Sequence, residues 1–124
     1  MKRKNTFLLL LSLLLAMAAC HTQKQVVAYE FPPAMSPSIR AGYTELCEKG
    51  RVLYDKTCAR CHNVLVKGKR VIPDFSAAQL NGYAIRSSNK RHESSMPDSL
   101  VSVEDLSLIT TFLIYKPKSA IAVR

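Results

Sequence analysis

The segment Gly50-Arg51-Val52-Leu53-Tyr54-Asp55-Lys56-Thr57-Cys58-Ala59-Arg60-Cys61-His62 decides the fold of this 124-residue chain. It ends in two cysteines three residues apart, with a histidine directly after the second. Before the cysteines, small and apolar residues recur at three- and four-residue steps, namely Leu46, Cys47, Gly50, Leu53 and Tyr54. This spacing predicts a helix with one buried face that ends near Lys56. Two thiols and an imidazole therefore follow directly after a packed helix.

The pentapeptide Cys58-Ala59-Arg60-Cys61-His62 is the C-x-x-C-H pattern of covalent haem attachment. Thiols at this spacing can reach the two vinyl groups on one edge of a porphyrin, where they form thioethers. The next residue is then carried beneath the iron. We therefore predict one covalent haem c on Cys58 and Cys61, with His62 as the proximal iron ligand.

Two other chemistries use similar residues. A C-x-x-C pair can be a thioredoxin-like redox site, but that site needs a strand–helix–strand setting, which the sequence does not show. Cys47 could join Cys58, Cys61 and His62 as a fourth zinc ligand. Adjacent ligands at 61 and 62 suit a tetrahedral ion poorly, so haem is favoured.

A six-coordinate iron needs a second axial ligand, and Met96 is the first candidate. Its thioether suits ferrous iron, and the rigid Pro97 follows it. The polar stretch Arg91-His92-Glu93-Ser94-Ser95 shows no apolar stripe that would explain Met96 as core filler. His92 is the reserve ligand, which would give a bis-histidine haem of lower potential.

The first 19 residues have the layout of a secretory signal. Three basic residues at positions 2 to 4 precede an apolar run from Phe7 to Leu15, which is too short to span a membrane. Met17-Ala18-Ala19-Cys20 resembles a bacterial lipobox, which predicts an acylated Cys20 at the mature N-terminus. An ordinary cleaved signal is the alternative. We expect a lipid-anchored protein of the cell envelope that faces the periplasm or exterior, its formal charge lowered by cleavage from +9 to +6.

The remaining chain divides by composition. Prolines and polar residues without a helical stripe predict an extended linker over 21–38. The predicted boundaries are a signal at 1–19, lipid anchor and linker at 20–40, a domain at 41–118 and a C-terminal tail at 119–124. About 80 residues make a thin core, so a bound cofactor would help to stabilise it.

Within the domain we predict mostly helices. A short one covers Ser76–Leu80, stopped by Asn81-Gly82, and the last is capped by Ser102 with Asp105 and ends before Pro117. The last helix has an apolar stripe of Leu106, Ile109, Phe112 and Leu113. No segment shows strand alternation, so the fold class is all-α, with three to four helices around one haem.

Over most of residues 43–116 the chain resembles the class I cytochrome c family of small bacterial proteins. The matching features are Gly50 and Tyr54 at four-residue steps before Cys58, Met96-Pro97, and the stripe of the last helix. The resemblance implies that Gly50 lets the first and last helices cross closely against Ile109 and Phe112. It also implies that the carbonyl of Pro73, in Pro73-Asp74-Phe75, accepts a hydrogen bond from the proximal histidine.

Two departures from the family pattern stand out. The chain has no tryptophan to contact a haem propionate, which leaves Arg86, Lys90 or Arg91 for that role. Cys47 is unusual as well; we interpret it as a small core residue, with an intermolecular disulfide as the alternative.

The function these features imply is a non-enzymatic carrier of single electrons. Basic residues near the motif would steer an acidic redox partner if they ring the haem edge, namely Lys56, Arg60, Lys67, Lys69 and Arg70. We expect no nucleic-acid partner, since the chain is exported and aromatic residues do not interleave the basic ones. The alternatives are a cytochrome subunit of a larger dehydrogenase, reductase or oxidase, and a haem sensor or peroxidase with a labile sixth ligand.

Overall fold

A computed structural model describes residues 27–87 and 89–122. The segments 1–19 and 20–26, which include the predicted signal and Cys20, lie outside this part of the chain. The described elements, in chain order, are α1 (Pro37–Thr57), α2 (Ala59–His62), β1 (Val64–Val66), β2 (Lys69–Val71), α3 (Gly82–Ser87), α4 (Lys90–Ser95) and α5 (Val103–Tyr115). Helices dominate, which confirms the predicted fold class, although three of the five are one or two turns long. None of the described helices is long and apolar enough to cross a bilayer.

Helix α1 begins at Pro37, behind an N-cap. The Ser36 hydroxyl accepts a hydrogen bond from the Ile39 amide, and proline suits the first helical position because its missing N–H would be unpaired there. The buried face consists of Cys47, Gly50 and Tyr54, as the spacing predicts. Leu46 differs from the expectation, since 38% of it is exposed.

Helices α1 and α5 cross at Gly50, as the resemblance implies, but the nearest atoms belong to Leu108 and Phe112 rather than to Ile109. A Cβ atom there would lie 2.0 Å from the Leu108 carbonyl oxygen and 2.9 Å from Cβ of Phe112. No side chain fits in that space, so only glycine lets the two backbones approach this closely. Tyr54 packs on Phe112 one turn further along α1, with ring centroids 5.7 Å apart. The glycine therefore sets the angle and depth of the main helix crossing.

The predicted ends of α5 are confirmed. Ser102 accepts a hydrogen bond from the Asp105 amide, and the Asp105 carboxylate accepts one from the Ser102 amide, which is a complete capping box. Leu106, Ile109 and Phe112 are 1–2% exposed and form the core with Tyr54 and Val101.

The sequence shows no convincing strand alternation, yet the structure adds one small sheet, in which β1 and β2 form an antiparallel hairpin. Val64 pairs with Val71, and Val66 with Lys69. Lys67 and Gly68 connect the strands with φ values of 48° and 76°, the left-handed turn geometry that matches the twist of a tight hairpin. Both faces of β1 are exposed, so no alternation marks it in the sequence.

The prediction of a helix at Ser76–Leu80 was wrong. These residues form a hydrogen-bonded turn, and α3 begins after it, at Gly82. The Gln79 side chain accepts a hydrogen bond from the Ser76 amide, and the Gln79 amide donates to the Ser76 hydroxyl. These contacts imitate a helix cap, but the chain makes a single turn.

The predicted linker and tail both contact the domain. Glu30 donates its backbone N–H to the Tyr115 carbonyl, and the Tyr29 ring meets Phe112 edge-on at 6.4 Å. At the other end, Ile72 donates to the Ala120 carbonyl, and Ile121 forms an isolated bridge with Val71. Residues 27–36 therefore pack on the domain, α1 starts inside the predicted linker, and the tail extends the hairpin.

Candidate haem-binding site

Helix α2 carries Cys61 and His62, and Cys58 is its N-cap residue. Cys58 caps both α1 and α2, and its carbonyl accepts hydrogen bonds from the amides of Cys61 at 3.1 Å and His62 at 3.0 Å. Residues three and four apart in a helical turn lie on the same side. The spacing therefore places both thiols and the imidazole on one side of a single turn, as haem attachment requires.

The two thiols are free and unequal in exposure. Cys61 is exposed, whereas Cys58 is half-buried. Burial raises the pKa of the Cys58 thiol, an effect opposed by its contact with the Thr57 hydroxyl at 3.3 Å. Cys58 has no disulfide partner among the described residues, so it is a reduced thiol, the state from which a thioether forms.

His62 has two aromatic rings as neighbours. Phe75 meets it nearly edge-on, with centroids 5.7 Å apart, and the His92 ring lies 5.6 Å away at 47°. Burial lowers the pKa of His62, and the neighbouring His92 lowers it further. Both effects favour the neutral imidazole, which is the form that binds iron.

Both candidates for the sixth ligand belong to one short stretch of chain. His92 lies on α4, and Met96 caps that helix, its amide donating to the His92 carbonyl at 2.9 Å. Met96 is 8% exposed and packs in a core cluster that includes Ala59 of the pentapeptide. The structure thus brings His92 beside His62 and buries Met96 near the attachment motif.

Two buried hydrogen-bond donors without partners provide a further indication that the residues present fit a haem group. Among the described residues, the Asn63 side-chain nitrogen and Nε of Arg86 are buried and have no hydrogen-bond partner. Asn63 directly follows His62, and its side-chain oxygen accepts a hydrogen bond from Tyr54 at 2.8 Å. Unpaired buried donors are costly, and an acidic ligand such as a haem propionate would satisfy them. Arg86, which the sequence offers as a propionate partner, also pairs with Asp98 and the Val101 carbonyl.

Two other predicted residues have clear positions. No hydrogen bond joins His62 to the Pro73 carbonyl in the described part of the chain, so that contact stays a prediction for the haem-bearing protein. Cys47 is fully buried, and its thiol donates weakly to the Thr111 carbonyl at 3.8 Å. Burial raises the pKa of Cys47 to about 11. Its interpretation as a core residue is confirmed, and no surface is left for an intermolecular disulfide.

Sequence reasoning missed Asn63 and gave His92 only a secondary place. The signal for Asn63 in the sequence was its position next to the motif. The way its side chain is held depends on a hydrogen bond from the Tyr54 hydroxyl, which the sequence does not show. The signal for His92 was its four-residue spacing from Met96, which places both on one side of a helix.

The rival chemistries find little support. No three of the described histidine, cysteine, aspartate and glutamate residues lie close enough to hold a metal ion, so Cys47, Cys58, Cys61 and His62 do not form a zinc cluster in the structure. The single described sheet is an antiparallel hairpin, not the parallel strand–helix–strand unit of a thioredoxin-like site.

A family model described as Cytochrome c matches residues 47–105, just under half of the chain. The match runs from the buried face of α1 through the pentapeptide and Met96 to the first turn of α5. The chain therefore contains a cytochrome c domain, which implies a covalently bound haem c. Comparison with curated proteins and with solved structures gave no significant match.

Proposed function

We propose that this cytochrome c domain carries single electrons between redox proteins outside the cytoplasm, with the haem on Cys58 and Cys61, His62 as proximal ligand and Met96 as distal ligand. The cofactor supplies an iron that changes between the ferrous and ferric states. The protein's part is to hold both axial positions, exclude small molecules from the iron and present one haem edge to partners.

The observation that carries this proposal is the presence of two potential iron ligands next to the attachment motif. The His92 ring lies 5.6 Å from that of His62, and the buried Met96 shares a core cluster with Ala59, so protein groups are available to fill the sixth position. A filled position leaves no room for oxygen, peroxide or another small ligand. Electron transfer needs only this closed arrangement, whereas a sensor or peroxidase needs an open or labile one.

Carbon monoxide provides a direct test on the full-length haem-bearing protein. The gas binds ferrous haem only where a coordination position is free. We expect the absorption spectrum of the reduced protein to stay unchanged when carbon monoxide is added, and the ferric protein to show an iron–methionine charge-transfer band. Rapid formation of a carbon monoxide complex would contradict the carrier role.

The partner surface that we propose surrounds the attachment motif. The basic residues near it are exposed, namely Lys56, Arg60, Lys67, Lys69 and Arg70. The hairpin adds apolar contact area, since Leu65 is 75% exposed. Cationic side chains around an apolar patch suit an acidic redox protein, which they would steer toward the haem edge.

Small redox reagents of opposite charge can test this surface. The variant Lys67→Gln/Lys69→Gln/Arg70→Gln should lose roughly threefold to tenfold in its rate of oxidation by anionic ferricyanide at low salt. Its rate with a cationic ruthenium ammine should not fall. Lys49→Gln, on α1, is the control. Equal rates for the triple variant and the parent protein would remove the steering proposal.

The route out of the cytoplasm is part of the same proposal. Cleavage before Cys20 and acylation of its thiol would tie the domain to a membrane. Mass spectrometry of the mature protein measures cleavage and acylation together. A mature chain that begins elsewhere, or an unmodified Cys20, would refute the lipid anchor.

A further inference from the structure

His92 has the hydrogen bond expected of a metal-binding histidine. Its Nδ1 lies 2.8 Å from the Ile85 carbonyl oxygen of α3. A carbonyl only accepts, so Nδ1 carries the proton, and the lone pair of the ring is on Nε2. Histidines that bind metals typically donate their other ring nitrogen to a carbonyl in this way, which fixes the tautomer and the ring direction.

The lone pair of His92 belongs to a ring that lies beside the proximal imidazole. The centroids of His62 and His92 are 5.6 Å apart. Two metal–nitrogen bonds of roughly 2 Å each, with about 1 Å from each nitrogen to its ring centre, would separate the centroids of two opposed imidazoles by about 6 Å. The observed separation is slightly shorter, so a small outward shift of the rings would admit the iron. His92 therefore stands at a distance from which it and His62 can bind the same iron.

Met96 is the C-cap residue of the helix that carries His92. The two are four residues apart, and the Met96 amide donates to the His92 carbonyl, so their side chains leave the chain about one turn, or 5.4 Å, apart. Helix α4 has only six residues and no buried residue of its own. To exchange one side chain for the other opposite His62, α4 would have to shift by about one turn, which the small size and exposure of this helix favour.

We propose that His92 is a second distal ligand, which occupies the sixth position of the haem iron whenever Met96 does not. This inference rests on the proposed function, because it requires the haem on Cys58 and Cys61. It assigns the site two closed states, one with histidine and methionine and one with two histidines. The second has the lower reduction potential, because methionine stabilises ferrous iron.

The test removes the methionine sulfur from the full-length haem-bearing protein. Met96→Leu keeps the apolar volume of the buried side chain, so the core is disturbed little, and Met96→Ala serves as a second variant. We expect both ferric proteins to be low-spin by electron paramagnetic resonance, with a lowered midpoint potential. Met96→Leu/His92→Ala should instead be high-spin and should bind added imidazole and carbon monoxide.

Three results would overturn the inference. They are a high-spin Met96→Leu protein, carbon monoxide binding by that variant, and a double variant that remains low-spin. The parent spectrum separates this inference from the proposed function. An iron–methionine band in the parent with a high-spin Met96→Leu variant refutes only the role of His92. A parent without the band, together with a high-spin His92→Ala variant, refutes the Met96 assignment and keeps His92 as a ligand.

Discussion

Gly50 occupies a position where one methyl group decides whether two helices can meet. An added Cβ atom would overlap the Leu108 carbonyl oxygen at 2.0 Å. This oxygen belongs to the backbone, so it cannot rotate away as a side chain could. Sequence spacing could predict the helix face and the glycine. It could not predict that the closest atoms belong to the Leu108 carbonyl, because backbone contacts have no side-chain pattern.

Gly50→Ala should lower the free energy of unfolding by roughly 3 kcal/mol, since the two helices must separate to admit the methyl group. Gly42→Ala is the matched control on the same helix, where nothing lies within 4 Å of the added atom. It should raise stability by about 0.5 kcal/mol, because alanine favours a helix more than glycine does. Denaturant unfolding of the two haem-bearing variants measures both changes. Equal stabilities would refute the close crossing.

Among the elements, the hairpin and the C-terminal segment depend on each other. The Ile72 amide donates to the Ala120 carbonyl, and Asp74 holds the turn at Ser119. Lys116, at the end of α5, is 4% exposed and places its ammonium group 2.6 Å from the Asp74 carboxylate. A buried lysine thus ties the last helix to the segment that follows the hairpin.

This ion pair predicts a pH dependence of stability. The hydrogen bond from Lys116, with that from the Ser119 amide, holds the pKa of Asp74 below its usual 3.8. A carboxylate with a depressed pKa stabilises the fold above its unfolded value, and this contribution is lost as the pH falls through the folded value. Asp74→Asn should therefore cost on the order of 1 kcal/mol at neutral pH, a moderate figure because Asp74 is half exposed.

Thermal unfolding of the parent and Asp74→Asn proteins over a range of pH measures this contribution. The difference between the two should persist from neutral pH to near 4 and shrink as the pH falls below 3.8. Asp55→Asn, an exposed change on α1 at a residue without a described ion pair, controls for the loss of one charge. A difference that does not change with pH would show that the carboxylate charge is irrelevant.

At the scale of helices and strands, the sequence predicted only those elements whose apolar residues repeat regularly and pack in the core. The buried stripes of α1 and α5 were readable, because burial repeats with the helical period. The hairpin was not, since Val64, Leu65 and Val66 are all exposed and its turn uses Lys67-Gly68 rather than an asparagine–glycine pair. Tyr29 and Phe31 also pack on the domain, a contact that depends on the position of Tyr115 far along the chain.

At the scale of the whole molecule, the described residues form a small core. Its buried members come from α1, α2 and α5 and from Ile72, Met96 and Val101 in the connecting segments. Large apolar side chains remain outside it, among them Leu65 at 75% and Leu100 at 66% exposure. A cofactor that binds Cys58, Cys61 and a residue at 92 or 96 would link α2 to α4. The haem therefore acts as part of the core, because it joins elements that are distant in sequence.

Loss of the haem should accordingly loosen the whole domain. In a Cys58→Ala/Cys61→Ala protein we expect a reduced helical signal and unfolding at markedly lower denaturant concentration, since so few residues form a thin core by themselves. Circular dichroism of the variant and the parent measures the difference. Cys47→Ala serves as the control, because it removes a buried thiol outside the attachment motif. An apoprotein as stable as the parent would contradict this role of the cofactor.

Trypsin digestion of the purified, exported protein tests the attachment of haem to Cys58 and Cys61 most directly. Arg60 lies between the two cysteines and is exposed, so trypsin can cut the chain there once the protein is denatured. We predict a single coloured species by mass spectrometry, in which haem joins the peptide Thr57–Arg60 to the peptide Cys61–Lys67. Two separate, colourless peptides with free thiols would contradict the account.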